Sequence, residues 1–207
     1  MLRFKLFEAA LTAAVVAFSA SYTHAEEFSA RLSGFQELGA LNNQTGAVLS
    51  DGRGTLKLNL DEKVGRIDFT LTYSNVGTTP PQTGMVSVAH IHFGKSRDSG
   101  GVLVFFCTNG TFTGTGPTPQ SCPKNSGTVT GMWTKENVQA ILTQNVAAGD
   151  FDALVDALQS NTAYANIHTA PLPGATNTAF PAGEIRGQIH RGDLDEKHED
   201  HDNHEHK

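Results

Sequence analysis

The chain has 207 residues, room for one domain with tails. Charged residues make up 17% and the formal net charge is −6, which excludes a binder that works on nucleic-acid phosphates through a basic surface. Glycine (21) and threonine (22) are abundant, a balance that favours strands and turns over long helices.

The N-terminus has the order of an export signal. Arg3 and Lys5 precede a mostly apolar stretch, and small residues lead to Thr23-His24-Ala25. Residues 1–25 are expected to be a signal peptide cut after Ala25. That leaves residues 26–207, with 13 basic and 20 acidic side chains, in a secreted or periplasmic location. The apolar run at 9–18 is too short to span a bilayer and no later run approaches that length, so no membrane span is expected after cleavage.

Period-two patterns follow. Phe28, Ala30 and Leu32 alternate with polar residues, as do Leu56, Leu58 and Leu60, and then Ile67, Phe69, Leu71 and Tyr73. The last two runs flank Asp61-Glu62-Lys63-Val64-Gly65, a hairpin connection. Residues 74–84, with Pro80-Pro81, read as a loop and 85–93 as a strand. Residues 102–106 are apolar throughout and read as a strand buried on both faces. Cys107 and Cys122 bracket a loop rich in Gly, Thr and Pro, and outside the cytoplasm such a pair is expected to close as a disulfide. Residues 127–133 are another strand. Thr134 is placed to cap a helix over 135–146, with Val138, Ile141 and Leu142 on one stripe. A second short helix carries Phe151, Leu154, Val155 and Leu158. Strands at 163–169 and 183–190 close the domain. The expected fold is all-β: an antiparallel sandwich or barrel, immunoglobulin-like or superoxide-dismutase-like, with a short helical insertion. Residues 26–190 form a single domain.

Within that domain the histidines are His90, His92 and His168. His90 and His92 are two apart on one strand, so their imidazoles leave the same face. Tyr164, Asn166 and His168 share a face of the penultimate strand, and Glu184, Arg186 and Gln188 share one on the last. If these strands are neighbours, the imidazoles converge on a site suited to Zn²⁺ or Cu²⁺, with Glu184 as a fourth ligand or an orienting group. Val86 and Val88 belong to the same alternating set as His90 and His92. That leaves open a structural reading in which the face is core, the polar groups form a satisfied network, and Glu184 and Arg186 are a fold-locking ion pair.

The C-terminus is of another kind. Residues 191–207 combine His198, His201, His204 and His206 with seven carboxylates and a single aliphatic residue, Leu194. The segment is expected to be disordered and is a second candidate for loose chelation of transition metals.

Four segments together resemble the CHRD domain, named from the extracellular growth-factor antagonist chordin. They are Phe28-Ser29-Ala30-Arg31-Leu32-Ser33-Gly34, Ala89-His90-Ile91-His92-Phe93-Gly94, Tyr164-Ala165-Asn166-Ile167-His168-Thr169 and Gly183-Glu184-Ile185-Arg186-Gly187-Gln188-Ile189. The resemblance spans about 28–189 and implies an exported β-sandwich. It does not transfer chordin's partner. The chain departs from the pattern in a longer loop, residues 170–182, with Pro171, Pro173 and Pro181. A weaker similarity is to copper–zinc superoxide dismutase, in which a His-x-His pair also sits on a barrel strand. His90, His92 and Arg186 have counterparts there, whereas the further histidines and the Asp of its zinc site have none.

The reading that follows is an exported, non-enzymatic binding protein. Its partner is an extracytoplasmic protein or a metal ion, no cofactor is required, and Cu or Zn is the candidate ion. The alternatives are a dismutase-like copper enzyme using His90, His92 and His168, and a structural or adhesion module in which those histidines only hold the fold.

Overall fold

A computed structural model describes residues 25–38, 46–79, 84–171, 180 and 182–192. The signal segment before Ala25, the tail histidines, Pro80-Pro81, Pro173 and Pro181 lie outside the described residues.

The strands are β1 (Glu26–Ser33), β2 (Arg53–Asp61), β3 (Arg66–Ser74), β4 (Val86–Phe93), β5 (Val102–Thr108), β6 (Gly127–Trp133), β7 (Ala163–Thr169), β8 (Ile185–Gln188) and β9 (His190–Arg191). They form one sheet in the order β5-β4-β7-β8-β1-β2-β3-β6, with β9 also pairing with β1. Every pairing is antiparallel. Arg191 and Gly192, read from the sequence as the start of the tail, are tied to β1: Arg191 pairs with Phe28 and the Gly192 N–H donates to Glu27 O.

The alternation seen in the sequence explains the β1-β2-β3 meander. Leu56, Leu58, Leu60, Ile67, Phe69, Leu71 and Tyr73 are buried, while the residues between them face outward. The hairpin between β2 and β3 is set by local chemistry. The Asp61 carboxylate accepts from the Lys63 and Val64 N–H groups at 3.1 and 3.3 Å, and Gly65 takes φ +64°, a left-handed conformation that suits glycine.

One strand carries irregularities, and one expected helix is replaced. Strand β5 is buried in consecutive pairs, Leu103-Val104 and Phe106-Cys107, as its unbroken apolar run suggested. The β4–β5 register shifts twice, however, between Ala89 and His90 and between Ile91 and His92. Each shift leaves an extra β5 residue in the ladder and breaks strict alternation. Residues 135–146 are not an α-helix. They form two 3-10 turns, Lys135–Asn137 and Leu142–Gln144. The Thr134 N–H still donates to Asn137 Oδ1 at 3.0 Å, so the helix-start signal is real. The helix stops because tertiary bonding takes over: Val138 is extended, Gln139 N–H donates to Leu103 O at 2.8 Å, and Ile141 bridges to Val146. Val138 and Ile141 are buried, while Leu142 is 84% exposed. The second short helix is present as α1 (Phe151–Gln159), capped by the Asp150 side chain on Ala153 N–H. Among the described residues no helix is long and apolar enough to cross a membrane.

The sheet curls until its end strands meet, without backbone pairing between them. The Trp133 indole N–H on β6 donates to Phe105 O on β5 at 2.8 Å, and the Trp133 ring packs against Phe69 and Phe106 with centroids 4.3 and 4.9 Å away. The loop after β5 closes beside this seam through the Cys107–Cys122 disulfide. Asn109 braces the loop: its amide donates to Val86 O and Cys122 O and accepts from Cys122 N–H. Replacing both cysteines with serine should lower unfolding stability by about 3 kcal/mol, the chain-entropy value for a loop of this length, read as a lower denaturant midpoint; an unchanged midpoint would show that Asn109 and Trp133 suffice.

Candidate metal centre

The site follows from the register of three neighbouring strands. His92 pairs with Tyr164 and Tyr164 with Gln188. His90 pairs with Asn166 and Asn166 with Arg186. Val88 pairs with His168. Directly opposed residues point to the same side of a sheet, so these side chains form one polar face. Ala89, Ile91, Ala165, Ile167 and Ile185, on the other face, belong to the apolar core. Val86 was expected on the histidine face. It lies in the core instead, because a register shift between Val86 and Val88 puts Val86 opposite Thr169.

The three imidazoles converge. One ligand nitrogen from each of His90, His92 and His168 can be chosen so that all lie within 4.8 Å of one another. Ring centroids are 4.4 Å apart for His90–His92, 4.6 Å for His90–His168 and 6.3 Å for His92–His168. A tetrahedral ion with bonds of about 2.0–2.1 Å spaces its nitrogens about 3.4 Å apart, so side-chain adjustments on the order of an ångström close the set. His90 is buried, and His92 and His168 are half-buried. His90 Nδ1 and His92 Nε2 are buried nitrogens with no hydrogen-bond partner. Such atoms carry a desolvation cost unless something fills them. His92 Nδ1 lies 2.7 Å from Gly100 O, which places the proton on Nδ1 and leaves the Nε2 lone pair for a metal.

The segment between β4 and β5 covers this face and is bonded to it along its length. The Arg186 guanidinium donates to Lys95 O and Asp98 O at 2.9 and 3.0 Å, and the Gln188 amide donates to Gly94 O at 3.2 Å. The Gly100 N–H donates to Tyr164 Oη at 3.3 Å. A Cβ on Gly100 would stand 1.7 Å from the Phe93 carbonyl oxygen, so only glycine allows this approach. Tyr164 is sandwiched: His92 stacks on its ring at 4.7 Å and 6°, and the Arg186 guanidinium lies 3.4 Å from its centroid. Two groups that close cannot share one face of the ring.

Glu184 is not brought to the imidazoles. It is buried, and its carboxylate accepts from Ser50 Oγ at 2.7 Å and Gly77 N–H at 2.8 Å. The carboxylates that act on Arg186 are those of Glu37 and Asp98, and Glu37 also accepts from the Asn166 amide at 3.0 Å. Glu37 escaped the sequence reading because it follows the Gly34–Gln36 turn, outside any periodic strand. A signal was present: it is the only charged residue between Arg31 and Asp51.

Burial sets the ionisation. It pushes the His92 imidazole down to about 4, partly opposed by its bond to the Gly100 carbonyl. It holds His90 well below the usual histidine range, and the neighbouring imidazoles add to the effect. Burial also pushes the Glu37 carboxyl up to about 7, against the pull of Arg186 and Asn166. The signs oppose each other. Below about pH 6.5 the unfolded histidines take up protons that the folded ones refuse, so stability falls on acidification toward pH 4. Glu37 takes its proton more readily when folded, so it adds stability as pH drops from 7 to 4.5. In metal-free protein, thermal melts between pH 7.5 and 4.5 should therefore show His92→Gln flattening the acid loss and Glu37→Gln steepening it; the opposite ordering would contradict these assignments.

A search of the curated proteins finds no match to this chain. The family model for the CHRD domain matches residues 28–189, which contain the whole polar face, the covering segment and the disulfide. On that match the chain belongs to the CHRD-domain family.

Proposed function

We propose that this protein is an exported, non-enzymatic binding domain that holds one divalent transition-metal ion, Cu²⁺ or Zn²⁺, on His90, His92 and His168. The observation that carries the reading is the convergence of three imidazoles from two strands, with buried nitrogens of His90 and His92 left without hydrogen bonds. Imidazole ligates as the neutral base, and burial keeps His90 and His92 in that form at neutral pH. Neutral nitrogen donors without a thiolate suit zinc, copper and nickel better than calcium or magnesium. Export is supported by the leader-like order of residues 1–25 and by a closed disulfide.

The rest of the polar face supports a structural role. Arg186, Gln188, Asn166 and Tyr164 direct their donor groups or rings to the covering segment, to Glu37 and to one another, while Asn166 Oδ1 and Gln188 Oε1 stay without hydrogen bonds. The dismutase-like alternative would use the same three imidazoles for a copper ion, and a superoxide assay on the copper-loaded chain separates it from a passive binder. The tail histidines His198, His201, His204 and His206 form a separate, weaker chelating segment in this reading.

The tail complicates any measurement, so the test starts from a full-length chain with His198, His201, His204 and His206 changed to Asn. After loading and dialysis that chain should retain about one equivalent of copper or zinc. Adding His90→Ala or His168→Ala should reduce retention by at least tenfold while the circular dichroism spectrum stays that of the β fold. A folded, tail-substituted chain that retains no metal would leave the histidines as packing residues.

A further inference from the structure

Resting on that reading, we infer that the ion held by His90, His92 and His168 completes its coordination with an anionic donor from outside the folded domain, so that the centre binds small anions. Three observations lead there. First, the donor set is neutral and incomplete. Zinc and copper take at least a fourth ligand, and the cluster contains no carboxylate or thiolate. The two buried acids nearest the polar face are committed elsewhere, Glu184 to Ser50 and Gly77 and Glu37 to Asn166. The sequence between β1 and β9 hides no substitute: residues 39–45, 80–83, 172–179 and 181 contain no Asp, Glu, Cys or His.

Second, the charge is unbalanced. A divalent ion on three neutral imidazoles brings two positive charges into a partly desolvated place. The Arg186 guanidinium lies one aromatic ring away, on the far side of Tyr164 from His92, where Glu37 and Asp98 offset its charge, so neither acid is free to neutralise the ion. In such surroundings an anion gains far more than it would in water. Third, the centre is reachable. His92 and His168 are only half-buried as residues, although His90 Nδ1 and His92 Nε2 are themselves shielded, so the cluster lies near the surface and an anion enters by local movement of the rim rather than through the core.

The same chemistry has two sources. One is a free anion such as a carboxylate or azide. The other is one of the seven carboxylates in residues 193–207 of the chain itself. Azide serves as the probe, because its charge-transfer band on Cu²⁺ reports direct ligation. Two copper-loaded full-length chains are compared: one with only the tail histidines changed to Asn, and one in which the tail Asp and Glu residues are also changed to Asn and Gln.

Saturable growth of the band in both chains with equal affinity is the result expected for a free anion. An affinity several-fold higher in the chain without tail acids, persisting at high salt that screens long-range repulsion, identifies the tail carboxylates as competitors for the same position; an increase that high salt abolishes is general charge repulsion and leaves the free anion as the ligand, and both results support the inference. A band absent from both chains, although His168→Ala removes their copper, overturns the inference and leaves the metal reading intact. Loss of core copper binding itself would show in metal content before any azide is added, and it overturns both.

Discussion

The pairing of β4 with β7 and of β7 with β8 fixes most of what is distinctive in this molecule. A sheet has two faces, and a slip of one residue exchanges them. In the observed register one face takes Ala89, Ile91, Ala165, Ile167 and Ile185 into the core, and the other collects His90, His92, Tyr164, Asn166, His168, Arg186 and Gln188. The apolar face drives the pairing, since its residues are almost fully removed from water. The polar face is a consequence of that burial. Its concentration of imidazoles is stable because the hydrophobic register leaves them no other place.

A buried polar layer is tolerable only when its groups find partners. Here the segment between β4 and β5 supplies them. Its backbone carbonyls at Gly94, Lys95, Asp98 and Gly100 point inward at Gln188, Arg186 and His92, while the Lys95, Arg97 and Asp98 side chains stay in solvent. The exceptions are informative. Buried atoms without hydrogen bonds include Asn166 Oδ1 and Gln188 Oε1 as well as nitrogens of His90 and His92, and in the imidazoles the chemistry lets a metal ion replace a hydrogen bond. Glu37 and Arg186 act at the other end of the layer, where a carboxylate and a guanidinium share a desolvated space with Asn166 and Tyr164 between them.

The opposite side of the sheet solves a different problem. A sheet that curls without closing exposes the unpaired edges of β5 and β6. Trp133 reaches across to the Phe105 carbonyl, Gln139 caps the Leu103 carbonyl, and the disulfide-closed loop lies alongside. The segment expected to be a helix is consumed in this work. Its residues were good enough to start a helical turn at Thr134, but the edge of β5 offered Gln139 a better bond.

The sequence by itself determined the strands, because period two is visible wherever one face is dry and the other wet, and it determined the hairpin at Asp61–Gly65, because Asp and Gly impose that turn locally. It also put His90 and His92 on one face, since that needs only the geometry of a single strand. The tertiary structure alone decided that His168 joins them, that Glu184 turns away to Ser50 and Gly77, that Val86 leaves the histidine face, and that Glu37 becomes the partner of Asn166 and Arg186. Each of those outcomes depends on which strands are neighbours and in what register. That choice is made by the packing of the whole core, and no local stretch of chain encodes it.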